Sequence, residues 1–171
     1  GSSGIGRASA LKVAEAGAKV IIVARGEEEL TKTRDEILTL GGKCWAYTCD
    51  LTDLASCDTL VKKVLQDHKH VDILVNNAGR SIRRSVEASY DRFHDYERTM
   101  QLNYFGCLRL IMGFLPAMTQ RHRGHIINIS SIGVLASSPR FSAYVASKAA
   151  LESFARCAAS EFHDENVHFT I

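Results

Sequence analysis

Apolar residues recur along the chain in two alternating patterns. Short apolar runs predict strands at about residues 19–23, 44–49, 71–76, 125–130 and 167–171. Apolar residues at helical spacing predict helices at about residues 4–16, 27–40, 54–68, 91–120 and 142–162. Because strands and helices alternate, the pattern predicts a doubly wound α/β fold with a parallel sheet. No repeat, low-complexity tract or linker interrupts it, so a single domain over residues 1–171 is the simplest prediction.

Polar residues lie at two informative positions, one within a predicted helix and one directly after a predicted strand. Tyr144 and Lys148 are four residues apart on a predicted helix and therefore share one face. An ammonium beside a phenol favours the phenolate, which makes a weak acid usable near neutral pH. Ser131 follows a buried strand and should lie at the carboxyl edge of the sheet, where such folds bind ligands. Since a tyrosine–lysine pair alone is also common on helix surfaces, the functional interpretation needs support from the rest of the chain.

The start of the chain supplies that support. Glycines at positions 1, 4 and 6 run directly into a helical pattern. Such spacing lets a backbone approach a pyrophosphate closely and directs N–H groups at it from a helix N-terminus. A glycine-rich start is also typical of a flexible end, but here a helix, Gly17 and the strand at Lys19–Val23 follow, which is the context that the motif requires.

With the stretch Asn76-Asn-Ala-Gly79 and with Asn103, the chain resembles the short-chain dehydrogenase/reductase family almost from end to end. The resemblance implies a catalytic set of Asn103, Ser131, Tyr144 and Lys148. Tyr144 would donate a proton to the reduced carbonyl, and Ser131 would hydrogen-bond the same oxygen. Lys148 would hold the nicotinamide ribose, and Asn103 would help to hold a water that links Lys148 to a proton relay. The implied cofactor contacts are Gly1, Ser2, Ser3, Gly4, Ile5, Gly6, Asp50, Leu51, Asn77, Ala78, Gly79, Tyr144 and Lys148.

The end of the first predicted strand indicates which cofactor binds. NAD-selective folds of this kind place an acid there for the ribose 2′-hydroxyl, whereas a 2′-phosphate needs a cation instead. Ala24 stands where the acid is expected, and Arg25 offers a guanidinium suited to phosphate. Arg7, at the glycine-rich turn, could assist Arg25 in binding this phosphate. Arg25 could also be a solvated neighbour of Glu27–Glu29, but we favour NADP(H) as the cofactor.

The substrate is less well indicated. Arg80, Arg83 and Arg84 follow a strand on the predicted active-site side and could receive a phosphorylated substrate, although a solvated loop would look the same. Three long stretches, residues 76–84, 93–106 and 126–148, are similar to the reductase domain of bacterial fatty acyl-coenzyme A reductases. That resemblance implies NADPH-dependent reduction of a long-chain acyl-CoA to the fatty aldehyde.

Three alternatives stay open. The chain could be a general ketone, aldehyde or hydroxysteroid-type reductase of the same family. Thioester reduction could instead use a cysteine nucleophile, for which Cys107 is the candidate because it shares a helix face with Asn103. A non-catalytic NADP(H)-binding sensor or scaffold is the alternative of another class, and the intact catalytic set argues against it.

Composition excludes several classes of function. A formal charge of +2, with dispersed Lys and Arg, gives no indication of nucleic-acid binding. No apolar run approaches the ~20 residues of a membrane span. The five cysteines form no Cys-x-x-Cys motif and predict reduced thiols in a cytoplasmic protein. The histidines show no ligand-like clustering, so we predict no metal.

Two expectations concern the whole protein. The chain begins inside the glycine-rich turn with no strand before it and ends in a short strand, so we expect a fragment that lacks the first strand and the C-terminal substrate-covering segment. The resemblance also implies a homodimer or homotetramer built on the helix around Asn103 and the helix of Tyr144 and Lys148.

Overall fold

The computed structural model describes residues 1–171, in which helices and strands alternate as predicted. The helices are α1 (Gly4–Glu15), α2 (Glu27–Thr39), α3 (Leu54–His68), α4 (His94–Met100), α5 (Cys107–Gln120), α6 (Ile132–Ala136) and α7 (Ser142–Glu161). The strands are β1 (Lys19–Ala24), β2 (Lys43–Thr48), β3 (Ile73–Asn76), β4 (Gly124–Asn128) and β5 (Val167–Thr170). A short 3₁₀ helix spans Glu87–Ser89. All strand pairs are parallel, which confirms the predicted α/β class.

The chain divides into two compact units, residues 1–50 and 51–171, and the predicted single domain stays a prediction. In the first unit, β1 and β2 pair from Lys19 with Lys43 to Ala24 with Thr48. Its core is a cluster of apolar side chains from both helices and both strands, namely Ala10, Ala14, Val20, Ile22, Leu30, Ile37 and Cys44. This packing places the residues that follow β1 and β2 at one edge of the pair.

The second unit contains a three-stranded sheet in the order β3-β4-β5. Asn76 and Asn128 end β3 and β4 as register partners, and Asn76 Nδ2 donates to Asn128 Oδ1 at 2.9 Å. The loops that leave these two strands therefore start side by side. Because ligands of open α/β sheets bind at the carboxyl ends of the strands, this edge is the expected place for a site.

A long helical stretch carries one of the predicted catalytic residues. The helix predicted at 91–120 is in fact α4, a π-helical segment at Gln101–Gly106 and α5. Asn103 lies in the π segment, and such segments are frequent at functional sites. At Gly106 a Cβ atom would clash with the Leu51 carbonyl oxygen, so only glycine lets the segment pass this close to the backbone.

Two short elements were absent from the predicted set: the 3₁₀ helix and α6. Both are too short for a periodic apolar pattern to show. No helix of the chain has both the length and the apolar character needed to cross a membrane.

Candidate active site

Asn103 is anchored by three hydrogen bonds. Its side chain is fully buried, Oδ1 accepts from the Arg80 N–H at 2.8 Å, and Nδ2 donates to the Arg80 carbonyl at 2.9 Å. Nδ2 also donates to Ser147 Oγ at 2.9 Å. Burying an amide is costly unless it is hydrogen-bonded. Asn103 therefore fixes the backbone after β3 to the π segment and to α7.

Lys148 lies beside the same backbone. It is 3% exposed, and its Nζ donates to the Ile129 carbonyl, just beyond β4, at 2.7 Å. A Cβ atom on Gly79 would be 3.3 Å from Lys148 Nζ and 3.5 Å from Asn103 Oδ1. Burial lowers the pKa of Lys148, and the neighbouring Cys107 opposes this shift. Since an ammonium has three donors, those that Ile129 does not occupy are available to a ligand.

Ser131 lies two residues beyond Ile129, whose carbonyl binds Lys148, and Tyr144 lies one helical turn before Lys148 on α7. Ser131 caps α6, where its Oγ accepts from the Gly133 N–H at 3.1 Å. A hydroxyl both accepts and donates, so the Ser131 proton remains available to a second partner. Tyr144 is half-buried in the first turn of α7, and its hydroxyl has no hydrogen-bond partner in the protein. α6 packs on α7 next to it, since a Cβ on Gly133 would be 3.2 Å from Val145 Cγ2.

Ser147 is a positioning residue that the sequence reasoning missed. It is fully buried, its hydroxyl donates to the Tyr144 carbonyl at 2.7 Å, and it accepts from Asn103 Nδ2 at 2.9 Å. One hydroxyl thus joins the helix of Tyr144 and Lys148 to the segment of Asn103. A helical serine bonded to its own helix is common, so the sequence alone gave no signal of this role.

The first unit contains the predicted pyrophosphate turn. Gly4 opens α1 with φ of +52°, a conformation that favours glycine. The Ser3 side chain makes no capping hydrogen bond, and the first turn of α1 has no acidic residue. The N–H groups at this helix end are therefore open to an anion. Gly1 lies against β1, where a Cβ atom would be 3.0 Å from Ile22 Cβ.

The Arg25 side chain is free to bind an anion. It is exposed directly after β1 and forms no ion pair, and its neighbours Glu28 and Glu29 pair with Lys32 at 2.8 and 3.3 Å. Arg7 differs from the expectation, because it forms an ion pair with Glu36 of α2 within the same unit. Its guanidinium therefore already has an anionic partner.

Four other predicted contacts are less distinctive. Asp50 is partly buried at the end of the first unit, and Leu51, which is 9% exposed, begins the second. Asn77 and Ala78 lead from β3 to Gly79 and are partly buried. In the second unit, hydrogen bonds and close packing join Gly79, Asn103, Tyr144 and Lys148, and Ser131 lies two residues beyond the carbonyl that binds Lys148.

The arginines after β3 do not form one group. Arg80 and Arg83 are exposed and form no ion pair. Arg84, by contrast, is partly buried, and its Nε lies 3.2 Å from Asp95 Oδ2. The three residues that the sequence grouped together therefore have different surroundings.

Cys107 is poorly suited to act as a nucleophile. It is 1% exposed, and burial raises the pKa of its thiol to about 11, which the charge of Lys148 only partly offsets. The thiolate is the reactive form, so a buried thiol with this pKa is inert near neutral pH. Across residues 1–171, no three His, Cys, Asp or Glu side chains are arranged to hold a metal ion. The absence of a metal stays a prediction.

Parallel strands with helical crossovers, a serine directly after one strand, and a tyrosine and a lysine four apart on a helix are typical of the class of dinucleotide-dependent oxidoreductases. The sequence model of the family described as short chain dehydrogenase matches residues 1–171. The chain therefore belongs to the short-chain dehydrogenase/reductase family, as its motifs predicted.

Curated relatives include fatty acyl-CoA reductases. The chain is 54% identical to one from Acinetobacter baylyi over 169 residues, which cover 99% of this chain and 57% of the relative. It is 46% identical to one from Mycobacterium tuberculosis over 170 residues, which cover 99% of this chain and 58% of the relative. The predicted similarity to that subgroup is confirmed. The chain spans little more than half the length of these relatives.

Solved structures confirm the predicted Rossmann-type fold. A metagenomic short-chain oxidoreductase in complex with NADP has a TM-score of 0.93 and 33% identity, covering 98% of this chain and 76% of its own. A xylitol dehydrogenase bound to NAD⁺ has a TM-score of 0.91 and 26% identity, covering 97% of this chain and 64% of its own. The similar structures thus include both cofactor types.

Proposed function

We propose that this protein uses NADPH to reduce the thioester of a long-chain acyl-CoA to the fatty aldehyde. The surroundings of Lys148 support the proposal: this buried lysine is one helical turn after Tyr144 on α7, its Nζ donates to the Ile129 carbonyl, and a Cβ on Gly79 would be 3.3 Å from it. The substrate class rests on the relatives, two of which are named fatty acyl-CoA reductases.

The side chains suit the reduction of a carbonyl. As negative charge develops on the substrate oxygen, the Ser131 and Tyr144 hydroxyls would donate to it, which stabilises the transition state electrostatically. Tyr144 would then transfer its proton to that oxygen. With a thioester the product of this step is a hemithioacetal. Its C–S bond breaks, coenzyme A leaves as the thiol, and the aldehyde remains.

The residues of the chain also fit NADP(H), which when bound supplies the hydride. The open N-terminus of α1 would receive the pyrophosphate, and the space beside Gly4 is open, because a Cβ added there would meet no atom within 4 Å. Arg25 would bind the 2′-phosphate, because it is an exposed guanidinium without an acidic partner. Lys148 would hold the nicotinamide ribose with the donors that Ile129 does not use. Asp50, Leu51 and Asn77–Gly79 are the proposed contacts to the rest of the cofactor.

Asn103 has a narrower role in this proposal than the resemblance implied. Its amide already bonds Arg80 and Ser147. We therefore propose that the side chain serves to hold the active-site backbone, and that a water bound at Asn103 would contact chiefly its main chain.

A substrate panel tests the proposal. The purified enzyme is supplied with NADPH and either long-chain acyl-CoA or a set of ketones and aldehydes, and both NADPH oxidation and product formation are followed. We expect one fatty aldehyde to form per acyl-CoA consumed. Turnover of ketones alone would assign the chain to the general carbonyl reductases, and absence of turnover with every carbonyl would favour a non-catalytic NADP(H)-binding protein.

A further inference from the structure

A group of arginines surrounds a single buried carboxylate in the second unit. Asp95 is 1% exposed at the start of α4. Its Oδ2 lies 3.1 Å from Arg92 Nε and 3.2 Å from Arg84 Nε. Its Oδ1 contacts Arg98 and lies 3.5 Å from His94 Nε2. We call these residues, Arg84, Arg92, His94, Asp95 and Arg98, the Asp95 cluster.

The Asp95 cluster has an excess of positive charge. Three guanidiniums share one carboxylate, so the formal charge is +2 with a neutral imidazole. Burial alone raises the pKa of Asp95, but the hydrogen bond from Arg92 and the charge of Arg98 outweigh it, so the pKa lies below its ordinary value. Asp95 is therefore ionised near neutral pH. The formal charge of +2 already includes its negative charge, so the cluster stays positive with Asp95 ionised.

Much of the donor capacity of these arginines is unused. Each guanidinium carries five N–H donors in a fixed planar fork, which matches phosphate oxygens. The Arg84, Arg92 and Arg98 side chains are 35%, 36% and 41% exposed, so part of each faces solvent. The Nε atoms of Arg84 and Arg98 are buried and form no hydrogen bond of good geometry. The solvent-facing donors of the Asp95 cluster can therefore bind a further anion while the contacts to Asp95 remain.

Nearby acids do not neutralise the cluster. Glu87, Asp91 and Glu97 are exposed and form no ion pair. Glu97 is two residues from Asp95 on α4 and so lies on about the opposite face of the helix. The backbone of a further arginine lies beside Arg84, because the Arg84 N–H donates to the carbonyl of the exposed Arg140 at 2.7 Å.

The cluster adjoins the candidate active site without being part of it. Asp95 precedes Asn103 by eight residues of one continuous helical stretch, which corresponds to about 12 Å along the axis. Tyr96 of α4 also bonds Ser142 of α7 at 3.0 Å, two residues before Tyr144. A substrate whose phosphates are separated from its reacting carbonyl by a flexible arm has this layout.

We propose that the Asp95 cluster, with Arg140 beside it, binds the phosphate groups of the coenzyme A part of the substrate. The proposal rests on the function proposed above and names the part of the chain that would recognise the thioester. Arg80 and Arg83 are exposed and closely precede Arg84 in the chain, and the Arg80 backbone bonds Asn103, so these two arginines would add charge on the approach.

Calorimetric titration with coenzyme A, in the presence of saturating NADP⁺, tests the site directly. Arg92→Gln and Arg98→Gln should each weaken coenzyme A binding about tenfold, the effect of one lost charge-assisted hydrogen bond. Arg92→Lys, which keeps the charge, should recover part of the affinity. Arg123→Gln removes an exposed arginine at the amino end of β4 and should leave the affinity unchanged.

Further titrations distinguish the possible sources of phosphate. Adenosine 3′,5′-bisphosphate should compete with coenzyme A in the wild-type protein, and NADP⁺ should bind all variants alike. Kinetically, the variants should raise KM for acyl-CoA far more than for the matching acyl-pantetheine, which lacks these phosphates. An equal loss of NADP⁺ affinity would show that the cluster serves the cofactor instead.

Other outcomes separate this proposal from the proposed reaction. Unchanged coenzyme A affinity in folded Arg92→Gln and Arg98→Gln proteins would overturn the site, even if thioesters are reduced. Reduction of acyl groups only when they are attached to an acidic carrier protein would also overturn it, since the cluster would then bind a macromolecule. Conversely, cluster-dependent coenzyme A binding without thioester reduction would keep the site and overturn the proposed reaction.

Discussion

Single hydroxyl groups in this chain differ in function because their neighbours differ. The Ser147 hydroxyl is buried, gives its only donor to the Tyr144 carbonyl and accepts from Asn103, so it has no proton to donate to a substrate. The Tyr144 hydroxyl has no partner in the protein, and Ser131 has only one. The same chemical group therefore positions a helix in one place and is free to donate in the other two.

Replacement of Tyr144 by phenylalanine tests the proposed proton donor. Tyr144→Phe removes only the hydroxyl, so we expect the reduction rate to fall by about 10²–10⁴. NADPH binding, measured by fluorescence titration, should change little because the ring and the backbone remain. Phe154→Leu, a change on the same helix away from the hydroxyl groups, serves as the control. Wild-type turnover by the Tyr144→Phe enzyme would refute the assignment.

Arg25 determines the cofactor preference if the proposed 2′-phosphate contact is correct. Arg25→Asp removes the cation and supplies an acceptor for a 2′-hydroxyl, so the preference should shift from NADPH towards NADH. The measurement is kcat/KM for each cofactor with one substrate. Arg34→Gln, which alters another arginine of the first unit, should leave the ratio unchanged. A wild-type enzyme that already prefers NADH would contradict the proposal.

Cys107 should be dispensable for the reaction. Its thiol has a pKa of about 11 and is therefore almost fully protonated at pH 7–8. We expect Cys107→Ala to retain most of its thioester reductase activity and to lose at most about 1–2 kcal/mol of stability through the small cavity. Mass spectrometry of the wild-type enzyme during turnover should detect no acyl group on this residue. A trapped acyl-enzyme at Cys107 would revive the cysteine mechanism.

At the level of helices and strands, the stretch from α4 to α5 shows how one element serves several purposes. α4 carries Asp95 and its arginines, the π segment carries Asn103, and α5 supplies core residues such as Ile111 and Met118. Gly106 lets this stretch pass against the Leu51 carbonyl. The close approach therefore supports both the core and the position of Asn103.

A side chain at Gly106 should disturb that approach. Gly106→Ala would bring its Cβ into the Leu51 carbonyl oxygen, and we expect a loss of about 1–3 kcal/mol in the free energy of unfolding. Urea denaturation monitored by circular dichroism measures it. Gly26→Ala is the matched control, because Gly26 has φ of −83° and no atom within 4 Å of its added Cβ. Equal stability of the two variants would mean that the stretch can shift at no cost.

At the level of the whole protein, self-association is expected from the family resemblance. The buried residues of α5 and α7, including Leu110, Phe114 and Leu151, belong to the core of the second unit. Phe105 and Met112 instead lie seven residues apart on the outside of the π segment and α5, and they are 43% and 51% exposed. With Leu108 between them they form an apolar stripe.

Charge on this stripe should weaken the predicted homodimer or homotetramer. We expect Met112→Asp to shift the protein towards monomer, because a carboxylate would be buried in an apolar interface. Sedimentation velocity at several concentrations measures the shift. Leu38→Asp, on the exposed side of α2, should leave the oligomeric state unchanged. A wild-type protein that is monomeric at all concentrations would contradict the prediction.

The sequence alone determined the order and type of the main elements. Every predicted strand and four of the five predicted helices appear within a few residues of their expected positions, because apolar periodicity directly reflects which side chains a strand or helix buries. It also placed Ser131, Tyr144 and Lys148 at a strand edge and on a helix face, since these positions follow from local spacing. The family followed from the same motifs.

Only the tertiary structure decided which of these residues have partners. Arg84 belongs with Asp95 rather than with Arg80 and Arg83, and Asn103 holds the backbone of Arg80, 23 residues away. Ser147 likewise bonds a residue 44 positions distant. Such contacts depend on how elements pack, and no local pattern encodes them. The π segment at Gln101–Gly106 could not be predicted either. Apolar residues recur at nearly the same spacing in an α-helical turn and in a π-helical turn, so the sequence pattern does not distinguish them.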